Sequence, residues 1–249
     1  VALAGENTIA VIETSTHEML GQVHLRSGDA PTELALSASG KTLLALNRQS
    51  HSVSIIETDS LSERGRIRLD SEANDIVMGN DEQTAYAIHS AASVVSVLYL
   101  DSLTVRTSSI FENSLLTGAI SADGTLLYLV TDFSPELLII DTASLTMQNK
   151  IFIGSGARAI KRNRVNGLLY VGKQDGGIAV VDPRALMAID SFQLPGPVQA
   201  LAIDHAESAL FALLSDSSRL LKLDLISKQT TGIVEVDAKS HAVVVMGER

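Results

Sequence analysis

Short apolar runs alternate with short polar turns along the whole chain, and no window of a dozen residues holds a 3.6-residue apolar period free of turn signals. That pattern predicts strands throughout and disfavours helix. Leu137 to Ile153, LLIIDTASLTMQNKIFI, shows the unit: an apolar strand, an acidic turn and a second, alternating strand. Near copies recur as AVIETSTHEM, SIIETDSLSE, SVLYLDSLTV, LIIDTASLTM, AVVDPRALMA and LKLDLISKQT. Their equivalent positions are Glu13, Glu57, Tyr99, Asp141, Asp182 and Asp224, spaced 44, 42, 42, 41 and 42 residues apart. A fixed period near 40 residues marks a repeat architecture.

A second half follows each of the first five copies: apolar strand, polar turn, apolar strand. Examples are ELALSASGKTLLALN, DIVMGNDEQTAYAIH, GAISADGTLLYLVT, RAIKRNRVNGLLYVG and ALAIDHAESALFALL, with Gly40, Gly124 and Gly167 in or beside the turns. Each period therefore holds four strands. Four strands per period of this length predict an all-β fold, a six-bladed β-propeller with four antiparallel strands per blade. The chain enters at the second strand of a blade, and HAVVVM (His241 to Met246) reads as a first strand with nothing after it. The expectation is one propeller domain over residues 1–249, its last blade built from residues 241–249 plus 1–25. Pairing of the N- and C-terminal strands then closes the ring and leaves no open sheet edge at the joint.

These residues resemble the YVTN-type repeat family of β-propellers. Its blades carry a V-x-V-I-D-T strand and turn, then a P-x-x-I-A-V-S-P-D-G-x-x-L-Y-V half. The matching stretches are SVSIIET, LLIIDT, GIAVVD, APTELALSASGKTLLAL and GAISADGTLLYLV, and the likeness extends over nearly the entire chain. Two departures stand out: Tyr99 where an acid is expected, and Asp204-His205 in place of Pro-Asp-Gly. The resemblance implies an exported protein, periplasmic, cell-surface or extracellular, with a binding or scaffold role.

Composition narrows the partners. Of 249 residues 45% are hydrophobic, enough for a substantial core. The longest apolar runs fall far short of the roughly 18 residues that a membrane-spanning helix needs. A formal charge of -10 disfavours duplex nucleic acid as a partner. The densest basic cluster, Arg158, Lys161, Arg162 and Arg164, lacks interleaved aromatics and reads as a solvated strand and turn. The sequence has no cysteine, which removes disulfides and thiolate chemistry. It begins at Val1, so the expectation is a longer precursor.

Candidate chemistry is sought where the repeats differ. Alignment places Glu33, Asp75, Thr117, Arg158, Gln199 and His241 at the starts of the six inner strands, a polar set at the mouth of the central channel. Water in the channel is the simpler account of their polarity; a cation or a small polar ligand is the functional one. Upper-loop candidates are His51, His89, Asp132, Asp175 and Asp216. Six-bladed propellers of the gluconolactonase type hold a divalent cation in the channel, which makes a cation-dependent lactonase-like hydrolase the alternative reading. Glu33 and Asp75 would be its metal ligands for Ca²⁺ or another divalent cation, a thin oxygen set for a hard cation. No G-x-S-x-G turn and no helical His pair is present, so no catalytic residue is assigned and no cofactor is required. With 4% aromatics and no Trp, the surface suits a protein partner, a larger assembly or a small polar ligand better than a glycan.

Overall fold

A turn every five to seven residues leaves no segment long enough to nucleate a helix, while Val, Ile and Leu in runs of four to six favour strands buried on both faces. The computed structural model describes residues 1–214, 216–237, 240 and 242–245. Among the described residues there are 23 strands and one helical element, a 3₁₀ turn at Ala4–Glu6. The architecture is a six-bladed β-propeller with four antiparallel strands to a blade. Five sheets show all four strands and the N-terminal sheet shows three.

The chain divides into two units, Val1–Leu115 and Leu116–Glu248. The first unit opens with β1 (Ala2–Leu3), β2 (Thr8–Ile12) and β3 (Met19–His24) in one sheet. A second sheet holds β4 (Pro31–Leu36), β5 (Thr42–Asn47), β6 (Ser52–Glu57) and β7 (Ser62–Arg68). A third holds β8 (Asp75–Met78), β9 (Thr84–His89), β10 (Val94–Tyr99) and β11 (Thr104–Thr107). The second unit is built from three sheets: β12 (Leu115–Ile120) to β15 (Met147–Phe152) through β13 (Leu126–Thr131) and β14 (Glu136–Asp141); β16 (Ala157–Arg162), β17 (Leu169–Lys173), β18 (Gly177–Asp182) and β19 (Met187–Gln193); and β20 (Val198–Ile203), β21 (Ala209–Leu214), β22 (Arg219–Asp224) and β23 (Thr230–Glu235). Strand order follows chain order within every sheet. His241 and Met246, the ends of the expected closing strand, lie outside the described residues. Residues 242–245 between them carry no strand assignment.

The repeated acid is turn chemistry. Four residues after each repeat position the backbone turns left-handed, at His17, Leu61, Leu103, Leu145, Leu186 and Lys228, with φ between 49° and 61°. Such a conformation is costly for Leu, and hydrogen bonds to the acid offset it. Asp141 Oδ1 accepts from the Ser144 amide and hydroxyl, both at 2.7 Å, and Asp224 Oδ1 from those of Ser227 at 2.7 and 2.8 Å. These amides hold the Asp141 and Asp224 carboxyls below the usual range. Tyr99 offers no such acceptor. Its sheet alone pairs third and outer strands without a register shift, Ser96↔Thr107 through Tyr99↔Thr104, whereas the other five carry a bulge there.

Middle strands bury both faces between neighbouring sheets. In the first unit Leu44, Leu46, Val53 and Ile55 pack against Ile76, Ala85, Ala87 and Leu98. In the second, Val130, Leu137 and Ile139 meet Ile160, Leu169 and Val171, and Tyr170, Ile178 and Val180 meet Leu201, Leu210 and Ala212. Fully burying a Leu or Ile side chain is worth about 1.5–3 kcal/mol, which explains the continuous apolar runs. Gly172 on β17 is required by this packing: a Cβ there would stand 2.4 Å from Val198 Cγ1 on β20.

Candidate binding cleft in the second unit

Three of the inner strands, β4, β16 and β20, begin with a bulge that spacing does not reveal, whereas β8 pairs with β9 without one. Pro31 pairs with Asn47 and Glu33 with Leu46, so Thr32 is the extra residue in β4. In β16 and β20 the extra residues are Arg158 and Gln199. Glu33 and Asp75, which pair with Leu46 and Ile88, therefore share a register position with Ala159 and Ala200 instead of with Arg158 and Gln199. A shift of one residue changes which side chains emerge at the strand start. The alignment that placed all of them at one position is corrected by this register.

In the second unit Arg158, Gln199 and Asp216 line an open cleft of about 620 Å³ together with Gln174, Leu116, Pro197 and Val198. Three come from the two candidate sets and four were not singled out. Arg158 is fixed on both sides: Nη1 lies 3.2 Å from Asp132 Oδ1 and Nη2 donates to Gln174 Oε1 at 3.2 Å. Asp132 thus belongs to the same group, one turn away. Asp175, also an upper-loop candidate, is committed to its own turn through the Gly177 amide at 2.8 Å. Thr117 is half-buried on β12 beside Leu116.

The Asp132 turn differs from its counterparts. In the β5–β6, β9–β10, β17–β18 and β21–β22 connections the last residue is left-handed: His51, Ser93, Gly176 and Ser218. In the β13–β14 turn that place is Pro135, whose ring fixes φ near −65°. The left-handed residue becomes Phe133 instead, at φ 58°, and the residue is 92% exposed. Around it the turn is tied down. The Phe133 amide donates to Asp132 Oδ1 at 3.1 Å, the Glu136 amide to Ser134 Oγ at 3.3 Å, and Thr131 Oγ1 to the Glu136 carbonyl at 3.2 Å. The left-handed conformation is shared with Leu61, Leu103, Leu145 and Leu186, so what sets Phe133 apart is its place in the turn and its exposure beside the cleft. The Phe-Ser-Pro sequence carried the signal, because Pro cannot take the left-handed place.

In the first unit the two histidines separate. His51 is an exposed turn residue at φ 47°, whereas His89 ends β9 and is 1% exposed. His89 occupies the place of Asn47, whose Nδ2 donates to Ser54 Oγ at 2.8 Å. Its Nδ1 lies 3.1 Å from the Glu72 carbonyl, an acceptor only, so that nitrogen carries the proton. Nε2 then accepts from Ser96 Oγ at 3.0 Å. Burial lowers its pKa, outweighing the pull of the Glu72 and Ser71 contacts. Asp75 Oδ1 accepts from the Ile76 amide at 2.8 Å, and Glu33 is half-buried on β4. Among the described residues no three His, Asp or Glu side chains are grouped to hold a metal ion. His241 lies outside the described residues.

Compared by sequence, the chain matches no family model and no curated protein. By structure it is similar to Kuenenia stuttgartiensis hydrazine synthase, with a TM-score of 0.81 and 17% identity over 97% of this chain and 84% of that one. It is also similar to the β-propeller domain of Myceliophteria thermophila Cps50 (Swd1), with a TM-score of 0.83 and 14% identity over 98% and 85%. At these identities the likeness concerns the propeller fold alone.

Proposed function

We propose that the protein is a non-catalytic binding module that engages a protein partner through the upper loops of its second unit. One observation carries the reading: Phe133 is presented to solvent on a fastened left-handed turn, next to the Asp132–Arg158 pair at the edge of the cleft. Rigid aromatic side chains flanked by polar groups are the usual anchors of protein interfaces. Propeller folds commonly serve protein interactions, which supports the same reading. Placement outside the cytoplasm, in the periplasm, at the cell surface or beyond it, rests on the resemblance of the repeat halves to YVTN-type propellers.

The test is capture from source extract with wild type, Phe133→Ser and Val165→Ser as bait. Val165 is also strongly exposed, at 80%, in the β16–β17 turn. A partner retained by wild type and Val165→Ser but lost by Phe133→Ser is the expected result; equal capture by all three would sink the reading.

A further inference from the structure

We infer that the cleft receives a primary carboxamide of that partner, the side chain of a Gln or an Asn. This rests on the binding reading and specifies its chemistry. Arg158 and Gln199 line the cleft, and each is the extra residue of the bulge that begins its inner strand. A bulge re-aims a side chain. In β4 the extra residue, Thr32, turns its hydroxyl back into its own sheet, to the Leu46 carbonyl at 3.5 Å. Gln199 differs: it is half-buried, and its carboxamide makes no hydrogen bond to another described residue. Its carbonyl oxygen and its amino group are therefore both open to a ligand.

The neighbouring groups narrow the ligand. A guanidinium only donates, so the Gln174 atom that faces Arg158 Nη2 at 3.2 Å is the carbonyl oxygen, and the Gln174 amino group is left to donate elsewhere. The charges are already answered: Asp132 neutralises Arg158 at 3.2 Å, and Asp216 has an interaction of its own. A cation brings no lone pair for the Gln174 amino group, and a carboxylate brings no proton for the Gln199 carbonyl. A hydroxyl offers proton and lone pair at a single atom, so it cannot make the paired bonds that one amide forms with another. A carboxamide makes both bonds to Gln199, and its second lone pair accepts from Gln174. Its methylene stem can cover Leu116 and Pro197, the half-buried apolar part of the lining.

Isothermal titration of the full chain decides the matter with acetyl-Ala-Gln-Ala-N-methylamide and its Asn, Glu and Met counterparts. These probes share one main chain and carry no terminal primary carboxamide, so they differ in the central side chain alone. Saturable binding of the Gln or Asn peptide is expected, with the Glu and Met peptides weaker by about tenfold. Comparing Gln with Asn shows which stem length fits. Gln199→Met should abolish the preference for the carboxamide and Gln174→Met should reduce it, both with wild-type melting temperatures. Should Gln199→Met melt lower, Gln174→Met carries the test from its exposed position. Equal binding of the Gln, Glu and Met peptides, no saturation by about 10 mM, or an undiminished preference in the folded variants would overturn the inference. If the peptides fail while Phe133→Ser still loses its partner, the binding module stands and only the carboxamide falls. If the Gln peptide binds while all three baits capture equally, the carboxamide site stands and the partner reading falls.

Discussion

Asp29 and Arg66 form a two-point ion pair, Nη1 to Oδ1 at 2.6 Å and Nη2 to Oδ2 at 2.7 Å, with Asp29 1% exposed. Asp29 lies in the β3–β4 connection and Arg66 on β7, so the pair ties a loop to the outermost strand of its neighbouring sheet. Every strong group is answered: Glu63 binds the same guanidinium at 2.7 Å, and the Arg26 amide donates to Asp29 at 2.8 Å. Removing one partner of a buried pair leaves the other uncompensated, at a cost of about 3–5 kcal/mol. Asp29→Ala should lower stability by that order in urea melts, and Asp29→Ala with Arg66→Met should recover part of the loss. A single variant as stable as wild type would show that the pair contributes nothing.

The same pair sets an acid limit. Burial raises the Asp29 pKa, but hydrogen bonds from Arg66, Ser50 and the Arg26 amide, with the Arg66 charge, outweigh it and leave the pKa lowered. A carboxyl depressed in the folded state contributes stability that is fully present above its unfolded pKa of about 4 and is lost as pH falls through the folded value. Melting temperature should therefore fall more steeply below pH 4 in wild type than in the Asp29→Ala, Arg66→Met variant.

His89 acts in a separate window. Its folded pKa is depressed, so below about 6.5 the unfolded chain takes up the proton first and stability declines until the folded pKa is reached. Melts from pH 7.5 to 5 should show this decline in wild type. In His89→Gln the decline should flatten, and an identical slope would assign it to another group.

Phe133 predicts a trade between stability and binding. A left-handed non-glycine residue costs about 1 kcal/mol, so Phe133→Gly relieves strain at an exposed site. The expected result is unchanged or higher stability in urea melts together with loss of partner capture. A destabilised variant would mean that the ring contributes to folding.

Gly172 links the core to the cleft, because its missing side chain is what admits Val198. Gly172→Ala forces an overlap with Val198 that costs about 1–3 kcal/mol. Lower stability in urea melts is the expected result; an unaffected variant would show that Val198 has room to move.

The sequence by itself determined the architecture. A six-fold repeat of apolar strand and acidic turn is a statement about backbone geometry, and turn residues such as Asp141 and Asp224 act through neighbours within four positions in the chain. Local chemistry of that kind is legible in order. The cleft was legible in part: Arg158, Gln199 and Asp216 stood out as polar departures from the repeat, yet Gln174, Leu116, Pro197 and Val198, which line it with them, did not. Register explains the difference. A bulge adds one residue to a strand without changing the repeat length, so spacing equated Glu33 with Arg158 where pairing equates Thr32. Only the tertiary structure decided that His89 is a buried donor to a carbonyl, that Asp29 meets Arg66, and that Asp132 neutralises Arg158, since each joins residues from different strands or turns whose approach depends on packing.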